Sequence, residues 1–104
     1  MAEFVRVAHV EELPENSMRC YEVHGREIAL YHINGRFYAT SAICTHEYAN
    51  LTEGWIDPDE CSVECPLHGA RFSIETGEVL ALPAYTPLPV YPVKVEDGEI
   101  WVGL

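Results

Sequence analysis

Along most of the chain, apolar side chains recur at every second residue, the period of a strand with one wet face. Met18-Arg19-Cys20-Tyr21-Glu22-Val23-His24 reads as one such strand. Glu27-Ile28-Ala29-Leu30-Tyr31-His32-Ile33 follows it across a turn at His24-Gly25-Arg26. Asn34-Gly35 marks a tight hairpin, because both residues tolerate the positive φ of a type I′ turn. Arg36-Phe37-Tyr38-Ala39-Thr40 returns as a third strand. Val90 to Glu96 and Glu99 to Val102 flank a second tight turn, Asp97-Gly98, and Phe4 to Ala8 adds an opening strand. The only helical hint is one turn at Val10-Glu11-Glu12-Leu13, stopped by Pro14. The pattern predicts an all-β fold made of hairpins.

The stretch from Ser41 to about Pro83 breaks this regularity. It is rich in breakers (Gly54, Pro58, Pro66, Gly69, Gly77, Pro83) and contains two Cys/His pairs. A small subdomain, about 41–83, is expected between two parts of a β base, 1–40 and 84–104. Its loops would present side chains at one tip. With 104 residues the whole, 1–104, is one domain.

Composition narrows the function. Hydrophobic content of 48% and charged content of 22% fit a folded globular chain. Seventeen acidic residues against six basic ones leave a formal charge of −11. Such a surface suits neither nucleic acid nor anionic membranes, both of which recruit basic patches. It suits steering toward a basic protein, or simply solubility. No apolar run approaches the roughly 20 residues of a membrane helix. Met1-Ala2-Glu3-Phe4-Val5-Arg6 lacks the features of a signal peptide, so the expectation is a cytoplasmic protein.

Cysteines stand at positions 20, 44, 61 and 65, and without an export signal metal or thiol roles outrank disulfides. Cys44-Thr45-His46 and Cys65-Pro66-Leu67-His68 each offer one thiolate and one imidazole. Zinc fingers usually segregate the two types, a Cys pair followed by a His pair. A mixed pair on each loop suits a two-iron cluster gripped from two sides, with both Cys on one iron and both His on the other. Exchanging two thiolates for neutral imidazoles removes negative charge, so the cluster accepts an electron more readily. A structural Cys2His2 zinc module remains the alternative at this point.

The two boxes, Cys44-Thr45-His46-Glu47-Tyr48-Ala49-Asn50-Leu51-Thr52-Glu53-Gly54 and Glu64-Cys65-Pro66-Leu67-His68-Gly69-Ala70-Arg71-Phe72, resemble those of Rieske ferredoxins. These are the electron-transfer components of bacterial aromatic-ring-hydroxylating dioxygenases. The resemblance runs over nearly the whole chain, including Asn34-Gly35-Arg36-Phe37-Tyr38-Ala39, Thr76-Gly77 and Leu82-Pro83-Ala84. It implies a Rieske-like fold, an antiparallel β-sandwich base with an inserted cluster-binding subdomain. It also implies one 2Fe–2S cluster per chain, held by Cys44, His46, Cys65 and His68. The implied role is that of a monomeric carrier, not an enzyme by itself. It would take one electron from a flavin-dependent ferredoxin reductase and pass it to a terminal oxygenase. A Rieske-like small subunit of a nitrite reductase is the second reading.

Departures from the wider superfamily imply more. Where Rieske proteins of cytochrome bc complexes carry a loop-pinning disulfide, this chain has Ala49 and Leu67. Where they carry a Ser and a Tyr that donate to cluster sulfur, it has Ala70 and Phe72. Fewer donors to sulfur imply a low-potential carrier. Leu82-Pro83-Ala84 resembles the segment that shields the cluster from water. Of the remaining thiols, Cys20 is expected to be a buried or half-buried small residue of its strand. Cys61, opposite Ser62 by alternation, is expected in the core. His9, His24 and His32 are expected to be ordinary strand or surface residues.

Overall fold

The computed structural model describes residues 3–45, 49–67 and 69–104. Eleven strands are present among them: β1 (Phe4–His9), β2 (Ser17–Val23), β3 (Arg26–Ile33), β4 (Arg36–Ser41), β5 (Trp55–Asp57), β6 (Ser62–Glu64), β7 (Arg71–Ser73), β8 (Val79–Ala81), β9 (Val90–Tyr91), β10 (Val93–Glu96) and β11 (Glu99–Gly103). Two single turns of 3-10 helix, Val10–Glu12 and Leu51–Glu53, complete the elements. The strands form three antiparallel sheets, ordered β1-β11-β10, β2-β3-β4-β9 and β5-β6-β7-β8.

Three two-residue hairpins set the register of the base. His24-Gly25, Asn34-Gly35 and Asp97-Gly98 each place both central residues at positive φ. Type I′ turns need this geometry, and their twist matches that of the flanking strands. The His24-Gly25 turn closes on Val23 opposite Arg26, so the loop is one residue shorter than the sequence pattern implied. His9 closes the first helical turn as a capping box with Glu12.

One strand expectation fails in an instructive way. Val90 to Glu96 is not continuous: β9 pairs with β4, whereas β10 pairs with β11 in the other base sheet. The break falls at Pro92, which has no N–H to give a ladder and offers only its carbonyl, to the N–H of Gly103 at 2.8 Å. Proline thus lets the chain step from one sheet to the other at a sandwich corner.

Strand β3 is the wall between two cores. Ile28 and Leu30 point into the base, among Ala8, Val23, Ala39, Ile100 and Val102. Ala29, Tyr31 and Ile33 alternate to the opposite face and join Cys44, Leu51, Val63, Cys65, Phe72 and Ile74. A strand buried on both faces explains why Ile28-Ala29-Leu30-Tyr31 is apolar without interruption. The buried Tyr31 hydroxyl meets Thr40 Oγ1 at 2.9 Å, and Thr40 Oγ1 donates onward to the Ser41 carbonyl. Burial pushes the Tyr31 phenol well above its ordinary range, so it stays a neutral donor.

Candidate metal centre

Cys44 and Cys65 sit at the same place in two similar loops. Beyond β4 the chain makes a short hairpin: Leu51 N–H donates to the Ala42 carbonyl, Ile43 bridges Asn50, and Cys44 N–H donates to the Ala49 carbonyl at 3.0 Å. In the second loop, β6 and β7 pair as far as Glu64 opposite Arg71. Cys65 N–H then donates to the Ala70 carbonyl at 2.7 Å. Each cysteine therefore closes a loop onto the carbonyl five residues ahead. His46 and His68, inside these loops by sequence, lie outside the described residues.

Both cysteines are buried, Cys44 at 4% and Cys65 at 1% exposure, and both belong to one core cluster. Ala49 and Ala70, the closing residues, are small and buried with them. Two thiols held close to one apolar core, on loops that converge, fit a pair of soft thiolate ligands to one iron.

Ala70 and Phe72 are fully buried and carry no hydroxyl. The segment after Pro83 is tied to the first loop, because Thr45 Oγ1 donates to the Thr86 carbonyl at 2.7 Å. Ala84 and Leu88 enter the same core as the two cysteines, while Leu82 and Tyr85 are left 67% and 81% exposed. Leu67, in the second loop, is also exposed. The loop region thus carries an apolar outer edge.

The other thiols have local duties. Cys20 Sγ accepts from Asn50 Nδ2 at 3.4 Å, while Asn50 Oδ1 caps the following turn by accepting from Thr52 N–H. Cys20 is half-buried, as its strand position implied. Cys61 departs from expectation. It lies in the turn before β6 at positive φ, where strand alternation has not begun, and packs at the edge of the core. Ser62 is the more buried of the two. Burial first, then the Glu75 charge, pushes the Cys61 thiol up, against a hydrogen bond with Tyr38. His32 stacks on Phe37 and bridges the Leu13 carbonyl and Glu15. His9 caps the first helical turn. Neither has metal-site geometry among the described residues.

A profile of the Rieske [2Fe-2S] domain matches residues 3–92. The chain belongs to this family. The 3-phenylpropionate/cinnamic acid dioxygenase ferredoxin subunit of Photorhabdus laumondii is 46% identical over 92% of this chain and 90% of its own. The ferredoxin of carbazole 1,9a-dioxygenase from Nocardioides aromaticivorans IC177 superposes with a TM-score of 0.92 at 35% identity, covering 97% of both chains. A chain from a complex of reduced oxygenase and oxidized ferredoxin in carbazole 1,9a-dioxygenase gives 0.87 at 35% identity, over 96% of this chain and 92% of that one. The Rieske ferredoxin described here is accordingly all-β and carries a 2Fe–2S cluster. It is a one-electron carrier, a component of an oxygenase system rather than an enzyme in itself. No helix among its described residues is long and apolar enough to cross a membrane.

Sequence reasoning did not find the Thr45–Thr86 tether or the Asn50–Cys20 bond. Their members are 41 and 30 residues apart, and no local signal announces either.

Proposed function

We propose that Cys44 and Cys65 ligate one iron of the cluster, and His46 and His68 the other. The carrier then takes electrons from a flavin-dependent ferredoxin reductase and delivers them to a terminal ring-hydroxylating oxygenase. The observation that carries the ligand reading is the matched closure of the two loops, Cys44 to Ala49 and Cys65 to Ala70, around two buried cysteines. The cluster supplies a one-electron couple. The protein's own residues supply the rest. Cys44 and Cys65 bring thiolate charge into a dry core, while Ala70 and Phe72 withhold hydrogen bonds from sulfur. The Thr45–Thr86 bond holds the proline segment against the first loop. Leu67, Leu82 and Tyr85 offer an apolar contact edge through which a partner reaches the cluster.

The relative at 46% identity serves a 3-phenylpropionate/cinnamic acid dioxygenase, which supports an oxygenase acting on an aromatic acid. The chain works as one domain, its 41–83 subdomain carrying the cluster on a base of 1–40 and 84–104. It works as a cytoplasmic monomer without nucleic acid or membrane.

Iron and sulfide analysis with paramagnetic resonance of the dithionite-reduced protein tests the ligands. Two irons per chain are expected, with an average g below that of four-cysteine ferredoxins. His46→Ala and His68→Ala should each abolish that signal. Zinc without iron, or a four-thiolate spectrum, overturns the assignment. Reconstitution with reductase and oxygenase components from the same cell tests the route. Turnover with a nitrite reductase flavoprotein instead assigns the carrier to that assembly.

A further inference from the structure

Away from the apolar loop edge, the β5-β6-β7-β8 sheet carries a groove of about 290 Å³ on its outer face. The pleat dictates its lining. Ile56, Val63 and Phe72 form one cross-strand row and turn toward the core. The flanking rows, Trp55–Glu64–Arg71 and Asp57–Ser62–Ser73, therefore face outward. Trp55 stands 61% exposed as one wall.

The polar groups are arranged for a cation. Arg71 is offset by Glu60 at 2.9 Å. Asp57 uses Oδ1 to accept the N–H groups of Asp59 and Glu60, which leaves Oδ2 for an incoming donor. Glu64 has no ion pair among the described residues, and its carboxylate lies beside Gly69 in the second cysteine loop. Ser62 forms the floor at 1% exposure, and its hydroxyl makes no hydrogen bond to a described residue. A serine hydroxyl opening on the groove floor, two carboxylates without an ion pair among the described residues, and an aromatic wall describe a receptor for a flat, multidentate cation. Guanidinium fits better than ammonium, since it stacks on indole and spreads five N–H donors over several acceptors.

The geometry points to this groove as the seat of an arginine side chain from the terminal oxygenase. The inference rests on the carrier reading above and names a second contact for that partner. The net charge of −11 favours a basic occupant, and similar ferredoxins are found in complex with their oxygenase. Because Glu64 precedes Cys65, an arginine seated here would fix the orientation of the oxygenase beside the cluster loops. The apolar edge alone, being non-directional, leaves that orientation loose.

The test is steady-state reduction of the oxygenase by the cluster-loaded ferredoxin, with Trp55→Ala and Asp57→Asn beside wild type. Asp57→Asn keeps the Oδ1 that holds the turn. Trp55→Ala should raise KM for the ferredoxin about ten-fold and Asp57→Asn about three-fold. Neither should change kcat, iron content, the resonance spectrum or the rate of reduction by the reductase. Trp55→Phe, which keeps an aromatic wall, should recover most of the loss. N-acetyl-arginine amide should inhibit wild type more than N-acetyl-lysine amide does, and Trp55→Ala should lose that preference. If wild type reduces the oxygenase while both variants match its KM, the groove proposal falls and the carrier reading stands. Equal inhibition by the two amides, or an effect confined to the reductase step, also overturns it. Wild type that fails to reduce any oxygenase removes both.

Discussion

Gly54 lies flat against the carbonyl of Glu64, so closely that a Cβ on Gly54 would overlap that oxygen and press on Pro66 Cδ. The contact joins the end of the first cysteine box to the residue before Cys65. It is one of the places where the two loops are held in register.

Gly54→Ala should therefore be costly although the backbone there has an ordinary negative φ. Overpacking against main chain costs about 1–3 kcal/mol, and for a domain of this size that lowers Tm by roughly 4–8 °C per kcal/mol. Calorimetry gives the loss of stability, and iron content after purification shows whether the second loop still closes. A variant with unchanged Tm and full iron would mean that the β5-β6 pairing can open without cost.

A pH effect follows from the base. Glu12 receives the backbone N–H of His9 at 3.0 Å and the Tyr21 hydroxyl at 3.1 Å. These donors, the His9 N–H first, hold its carboxyl below the usual carboxylate range. A depressed folded value means that the unfolded chain binds the proton first as pH falls. The stabilisation is present above the unfolded pKa and is lost as pH drops through the folded one. Glu12→Gln should be less stable than wild type at neutral pH, and the gap should close on acidification. Denaturant midpoints at several pH values measure it; a gap that widens in acid contradicts the assignment.

The redox potential is expected near the low end of the Rieske range, about −150 mV rather than toward +300 mV. Ala70 and Phe72, both fully buried, have no hydroxyl to offer cluster sulfur. A donor to sulfur favours the more negative reduced state. Ala70→Ser with Phe72→Tyr should then move the midpoint upward in protein-film voltammetry. A wild-type value above zero, or a downward shift in the double variant, refutes this account.

Long-range electrostatics should set the speed of partner encounter. The Debye length falls from about 10 Å at 0.1 M salt to about 3 Å at 1 M. With a charge of −11, stopped-flow association with a basic partner should slow across that range. A flat profile would assign the acidity to solubility alone.

Much of this molecule could be read from short stretches of chain. Asn34-Gly35 and Asp97-Gly98 declare hairpins because left-handed backbone is a property of the residues that occupy it. Glu27 to Ile33 declares a strand, although its burial on both faces shows only in the packed structure. The Cys44 and Cys65 boxes display their donor chemistry in the residue types and spacing alone. Other features exist only once distant segments meet. Pro92 divides a continuous apolar stretch because two different sheets claim its halves. Thr45 reaches Thr86, Asn50 reaches Cys20, and Gly54 must be bare because Glu64 passes over it. Cys61 escapes the alternation that Ser62 obeys, since the turn before β6 rotates it by a positive φ. The groove beside Trp55 arises from the pairing of β5, β6 and β7. Turn geometry and ligand chemistry reside in consecutive residues, whereas registers and approaches between strands are fixed by packing over the whole core.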